Sequence, residues 1–341
     1  MVEEQDWAQV VAAATRAPSI HNTQPWRFVA RPDRLELFLD PDRALPVLDP
    51  SARQQVISCG TALEFAVVAL AARGWEAEVE ELPDAAEPTH LAGVRITPGG
   101  EPSADDRALA AAIDHRHTVR APFEARTVPD DLVQRLQAGA RAFGTWLKPI
   151  TRSEEEVATV FLISRAEEME QGDPAYLAEL EGWLRTDPTA VDGVPIGAVP
   201  SGDPHERASN WLIRDFVAGQ REQHAFRAAG DPAAPPPEVE RPAVVLMGTD
   251  GDDRAAWLRS GRALGRVLLQ LTSAGLVASP LTQALDWPAT RTRMQSRLSL
   301  VGHPQMLLRL GYPRQPEPDA PPPAVSGRRP VGDVLRFEPA G

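Results

Sequence analysis

Two stretches of this chain, 201 residues apart, carry matching text without a gap, and this constrains the fold more than any other feature. Asp49-Pro-Ser-Ala-Arg53 leads to Gly60, Ala62, Leu63, Leu70 and Gly74. Asp250-Gly-Asp-Asp-Arg254 leads to Gly261, Ala263, Leu264, Leu271 and Gly275. Each stretch reads as a long buried helix ended by a glycine C-cap, expected over 51–73 and 255–274. A glycine near the start of each helix lets another backbone approach closely. A fainter echo lies upstream: 7–17 resembles 132–142, at an offset of 125. The two offsets differ by 76 residues, so the second copy carries a large insertion, roughly 150–235. Insertions of that size are lids, binding loops or linkers.

The remaining pattern alternates helices and short strands. Helices are expected over 6–16 (capped by Asp6), 104–115, 129–143 and, inside the insertion, 176–185 and 210–226. Strands are expected over 26–30, 35–40, 76–82, 91–97, 243–248 and 305–310, and a proline-rich arm over 313–323. The interleaving places the chain in the α/β or α+β class.

Composition narrows the function. A net charge of −13 speaks against nucleic acid, which calls for a basic footprint. Lys148 is the only lysine, so any anion site must be built from arginine. The single cysteine, Cys59, excludes a disulfide framework and a cysteine-based metal site. The acidic N-terminus has the wrong sign for a signal peptide, and no apolar run is expected to reach the ~18 residues that span a bilayer. The expectation is a cytoplasmic protein that binds neither membrane nor metal. No Walker A loop, Gly-x-Gly-x-x-Gly turn or Gly-x-Ser-x-Gly elbow is present.

Two segments carry chemistry. In Pro18-Ser19-Ile-His21-Asn22-Thr-Gln24-Pro25-Trp26, a helix ends at a proline and a loop of short polar side chains follows. Such a loop suits a flat ligand with a polar edge, and equally a plain helix–strand connection with local side-chain bonds. In His115-Arg116-His117-Thr118-Val-Arg120, two guanidinium groups and a hydroxyl meet at a helix end. Arginine forks grip phosphate oxygens, although cations at a helix C-terminus also simply answer its dipole. Arg328-Arg329 in the tail could add further phosphate donors.

These segments resemble, in order, motifs of the FMN-dependent nitroreductase superfamily. Arg116-His117-Thr118-Val119-Arg120 is similar to its phosphate-binding run, and Pro18-Ser19-x-x-Asn22-x-Gln24-Pro25-Trp26 to its flavin-contacting loop. Ser279-Pro280-Leu281 resembles its Pro-Ile-Glu-Gly loop beside the ring, and Gly311-Tyr312-Pro313 with Arg328-Arg329-Pro330 its closing segment. The nearest likeness is to the Acg-type subfamily, in which two nitroreductase-like halves are fused in one chain.

The resemblance implies a tandem, pseudo-twofold α+β fold that mimics the nitroreductase dimer. Its halves would be 1–103 and 104–341, the second with the insertion and a C-terminal arm over 313–341. It implies one FMN per chain, because the second half has Phe143-Gly144 where the first has Pro18-Ser19. The expected cofactor contacts are Pro18, Ser19, Asn22, Arg116, His117, Thr118, Arg120, Pro280, Leu281, Arg328 and Arg329, with no catalytic side chain singled out. The implied function is hydride transfer from NAD(P)H through FMN to a small acceptor such as a nitroaromatic or a quinone, by a monomeric pseudo-dimer or a homodimer. Thr282-Gln283 replaces the Glu-Gly of working relatives, and Asp192-Gly-Val-Pro resembles the segment that covers the flavin in Acg-type proteins. Both leave open the alternative of a flavin-sequestering protein with little turnover.

Overall fold

The computed structural model describes residues 3–198, 209, 211, 239–314 and 325–339. Apart from Trp211, the helix expected over 210–226, the prolines 235–237 and most of the proline-rich arm lie outside the described residues.

The chain begins with α1 (Glu4–Thr15), β1 (Trp26–Arg31), β2 (Arg34–Leu39), α2 (Arg53–Ala71), β3 (Trp75–Glu81) and β4 (His90–Pro98). After α3 (Ala104–His115) the same order returns. It runs α4 (Asp130–Arg141), β5 (Thr145–Pro149), then α5 (Ser153–Gln171), α6 (Pro174–Gly182), β6 (Leu184–Arg185) and β7 (Val194–Pro195) of the insertion, then β8 (Ala243–Thr249), α7 (Arg254–Ser273) and β9 (Val277–Pro280). The short α8 (Gln283–Asp286), α9 (Pro288–Arg297) and β10 (His303–Gly311) follow, and α10 (Val331–Val334) and β11 (Leu335–Phe337) close the chain.

The duplication is visible in the sheets. The first runs β1-β2-β4-β3 and the second β5-β8-β10-β9, every neighbouring pair of these eight strands being antiparallel. In both, a long helix joins the second strand to the third. The insertion occupies the link between β5 and β8, where the first copy has only a two-residue turn. The halves are not cut cleanly at 103/104, however. β11 crosses back and adds to β1 as a parallel edge strand, Phe28 opposite Leu335.

The two repeated helices lie against each other at their shared glycines. A Cβ on Gly60 would stand 3.0 Å from the Cα of Gly261 and would overlap the Leu258 carbonyl oxygen. A Cβ on Gly261 would stand 2.8 Å from the Cα of Gly60 and overlap the Ile57 carbonyl oxygen. Gly74 and Gly275, the expected C-caps, adopt φ +79 and +77. Just past the crossing, the fully buried Glu64 receives Arg262 and Arg266 of the other helix at 3.3 and 2.6 Å.

Nearly every residue of α2 is buried, because α1, α7 and the first sheet surround it. Among the described residues it is the one helix long and apolar enough to cross a membrane by length and composition, which corrects the expectation that no such run exists. Cys59 lies within it, and burial pushes its thiol well above the usual range.

The second sheet is covered on both faces. Val245 and Met247 pack toward α4 and α7, and Val244 and Leu246 toward α5, α8 and α9. The sequence reading missed α5 because apolar side chains sit on both of its faces: Leu162 and Ile163 are buried while Val157 and Phe161 are exposed. β5 and β9, the two edge strands of this sheet, escaped it because five and four residues are too few to establish a pattern. The first helix begins two residues before the expected Asp6 cap. Asp6 lies in its first turn, where a carboxylate meets the positive end of the helix.

The Asp49 carboxylate accepts from the Gln55 backbone N–H at 2.9 Å, inside the start of α2. Burial raises its pKa to about 6. A carboxyl whose folded pKa lies above its unfolded value holds its proton longer in the native state. Its stabilising contribution is therefore fully present below the unfolded value and lost as pH rises through about 6. Asp49→Asn should flatten the fall in urea midpoint between about pH 4 and 6 relative to the wild type; an unchanged difference across that window would count against the assignment.

Candidate functional site

A cavity opens between the halves. Its walls are one face of α2 (Gln54, Ile57, Ser58, Thr61), one face of α7 (Leu264, Leu268), the end of β9 (Ala278, Pro280) and β10 (Met306, Leu308). Two loops close its rim: 18–21 after α1 and 116–120 after α3.

The 116–120 loop is fixed on both sides. Thr118 bridges Ala278 in parallel, with Val119 N donating to Ala278 O at 3.2 Å. Beyond it, the buried Glu240 accepts from Phe123 N at 2.6 Å and pairs with the buried Arg309. Arg309 in turn donates to the Ala121 carbonyl at 2.9 Å and lies over the Phe123 ring. A dry ion pair thus pins the chain directly after the arginine-rich run.

The electrostatics of this rim are unbalanced. Arg116 is buried, and its named bond is a donation from Nη2 to the Arg16 carbonyl at 3.1 Å. Arg328 donates to the same carbonyl at 3.3 Å. The Nε atoms of both arginines are buried without a hydrogen-bond partner. Burial, then the neighbouring guanidinium groups, hold both below the usual arginine range, and both stay cationic at neutral pH. Like charges gathered around idle donors leave an uncompensated positive charge at this rim.

The 18–24 loop is strained into shape. His21, Asn22 and Gln24 have φ of 45, 54 and 50, a left-handed region that side chains other than glycine rarely occupy. Ser19 and Ser58 hold it: Gln24 N donates to Ser19 Oγ at 2.9 Å, and Ile20 N to Ser58 Oγ at 3.1 Å.

Of the residues expected at the cofactor, Pro18, Ser19, Arg116, His117, Thr118, Arg120 and Pro280 line the cavity. Arg328 stands beside Arg116 without lining it. Asn22 turns away, its amide bonded to Gly193 O, Gly327 O and Arg328. Leu281 is wholly buried in the apolar layer beneath β10. Arg329 faces Asp40 at 3.4 Å, with its backbone N on Gln24 Oε1 at 2.9 Å. Sequence reasoning missed the wall residues Gln54, Ser58, Thr61, Leu264 and Leu268. The repeat announced that α2 and α7 touch, but nothing in it showed which faces diverge to leave space. Residues 187–198 of the insertion contribute nothing to the walls.

The pseudo-symmetric counterpart of this site carries larger, charged side chains. At the 201-residue offset, Arg259 and Arg262 stand where Ser58 and Thr61 stand in the first copy. Arg259 pairs with Glu81 at 2.6 Å, Arg262 with Glu64, and Arg262 also lies 4.8 Å over the Phe143 ring.

No protein-family model matches the chain. A protein of Mycobacterium tuberculosis strain H37Rv named "Putative NAD(P)H nitroreductase" is 36% identical over 330 residues, covering 96% of this chain and 90% of its own length. A second from that strain, "Putative NAD(P)H nitroreductase acg", is 33% identical over 326 residues, covering 95% and 93%. This chain belongs to that nitroreductase family. Among solved structures, the nitroreductase-family chain is similar to the FMN and NADPH-dependent nitroreductase NfnB of Sphigopyxis sp. strain HMH, at 20% identity and a TM-score of 0.39, covering 67% of this chain and 98% of that one. The FMN-dependent nitroreductase NfnB of Mycobacterium smegmatis, solved with NADPH, matches at 17% identity and a TM-score of 0.34, covering 69% and 95%.

Proposed function

We propose that this nitroreductase-family protein binds one FMN per chain and uses it to pass reducing equivalents from NAD(P)H to a small acceptor of the nitroaromatic or quinone class. The observation that carries the reading is the pair of buried, partnerless Nε donors of Arg116 and Arg328, set beside an apolar-walled cavity. That donor set fits a phosphate, and the apolar wall of Ile57, Leu264, Leu268 and Pro280 fits a flat ring system. FMN, when bound, supplies the hydride chemistry; the protein supplies binding, orientation and electrostatics.

Arg116, Thr118 and Arg120, with Arg328 behind them, would hold the phosphate. Ser19, which lines the cavity, would meet the polar edge of the ring, and Pro280 would lie against its face. Gln283, buried with its Nε2 unpartnered, offers a further donor in the same cavity. Asn22, Leu281 and Arg329 shape the scaffold and make no cofactor contact in this reading. The counterpart positions support a single site, because Arg259 and Arg262 stand there in place of Ser58 and Thr61 and are paired with Glu81 and Glu64.

The test is the visible spectrum of the purified protein titrated with FMN, then mixed anaerobically with NADPH and NADH. A flavin band that shifts on binding at one equivalent and then bleaches is the expected result. A bound flavin that stays oxidised would leave binding without turnover, and failure to bind would overturn the assignment.

A further inference from the structure

Arg328 is held beside Arg116 and Arg16 by neutral groups alone. Its Nη1 donates to Asn22 Oδ1 at 3.2 Å, Ser326 O at 3.1 Å and Gly327 O at 2.9 Å, and its Nη2 to Arg16 O. No carboxylate is among these partners, and the two neighbouring cations repel it. Something must keep it there.

Three segments distant in sequence converge on the task. Asn22 bonds the Gly193 carbonyl through Nδ2 at 3.0 Å and receives Gly193 N at its own carbonyl at 3.3 Å. The same Nδ2 donates to Gly327 O at 3.1 Å. Gln24 Nε2 donates to Val191 O at 2.8 Å, and Gln24 Oε1 accepts from Arg329 N. The insertion segment carrying Val191 and Gly193 is thus clipped to the loop that holds the arginine. The tail fits under it tightly: a Cβ on Gly327 would overlap the Ala190 carbonyl oxygen and stand 2.9 Å from Val191 Cα.

The strap itself is fastened at one charged point. Asp192 pairs with Arg43 of the first half and with Arg185 of β6, at 2.9 Å. Both guanidinium groups also lie over the Trp183 ring.

We propose that Asp192 is a positioning residue for the anion end of the cavity, acting through Gly193 and Asn22 to fix Arg328. On this view Asn22 serves the phosphate at one remove, and the insertion governs cofactor retention without walling the cavity. The inference rests on the FMN reading.

The test compares FMN with riboflavin, which has the ring and lacks the phosphate. Asp192→Asn should raise the Kd for FMN about tenfold and leave riboflavin within about twofold, since only a charge-assisted contact to phosphate is lost. In an Arg328→Met background the same substitution should add nothing further. Gly327→Ala, which forces strap and tail apart without touching Asp192, should show the same split and guards against an Asp192 variant that does not fold. Equal weakening of both ligands, an additive double variant, or no change would overturn the proposal. If the wild type binds neither flavin, it is the FMN reading itself that fails.

Discussion

Replacing Arg116 by alanine is expected to weaken FMN binding about a hundredfold while leaving the unliganded protein as stable as before, or slightly more so. Removing one member of a buried charged pair in a bound complex costs roughly 2–5 kcal/mol, which is the basis of the estimate. The stability half follows from the free site. Arg116 is desolvated, flanked by Arg328 and Arg16, and has a buried Nε without a partner. A residue so placed is tolerated for what it binds and contributes little to folding. FMN titration and thermal melts of the apoprotein check the two halves together. A large drop in melting temperature with unchanged FMN affinity would make Arg116 a structural residue.

The second large effect concerns the crossing of α2 and α7. Gly261→Ala should destabilise the protein by about 3 kcal/mol, against the gain of roughly 0.5–1 kcal/mol that alanine ordinarily brings to a helix interior. The added methyl would meet the Ile57 carbonyl oxygen and the Gly60 Cα, both backbone, and neither can turn aside as a side chain could. The helices must part, and they form two walls of the cavity, so FMN affinity should fall with stability. Gly332→Ala, where a Cβ would meet nothing within 4 Å, is the matched control and should shift the guanidinium midpoint little. Equal midpoints for the two variants would show that the crossing is looser than its geometry implies.

The gap-free repeat around Gly60 and Gly261 already contained the tandem architecture, because close backbone approach is written in the absence of a side chain. It also placed the insertion between β5 and β8, since unequal offsets can only mean added chain. Arg116-His117-Thr118-Val-Arg120 was legible as a cluster of cavity-facing donors for a similar reason: guanidinium groups and a hydroxyl in one short loop carry their chemistry locally. Four of the eleven expected cofactor residues do not line the cavity. Asn22, Leu281, Arg328 and Arg329 were taken from a linear pattern, but where a side chain points depends on partners hundreds of residues away. Asn22 is claimed by Gly193 and Gly327, Arg329 by Asp40, and Leu281 by the layer that α5 places beneath the second sheet. The wall residues of α2 and α7 were unreadable because helical periodicity gives one buried face and cannot say where two such faces diverge. The sequence alone thus determined the duplicated unit, its glycine crossing and its arginine cluster, all set by local sterics or local charge. Only the tertiary structure decided that the tail strand β11 returns to the first sheet, that Arg259 and Arg262 pair with Glu81 and Glu64, and that a strap held by Asp192 reaches the loop holding Arg328, since each of these depends on long-range packing that no short window of residues encodes.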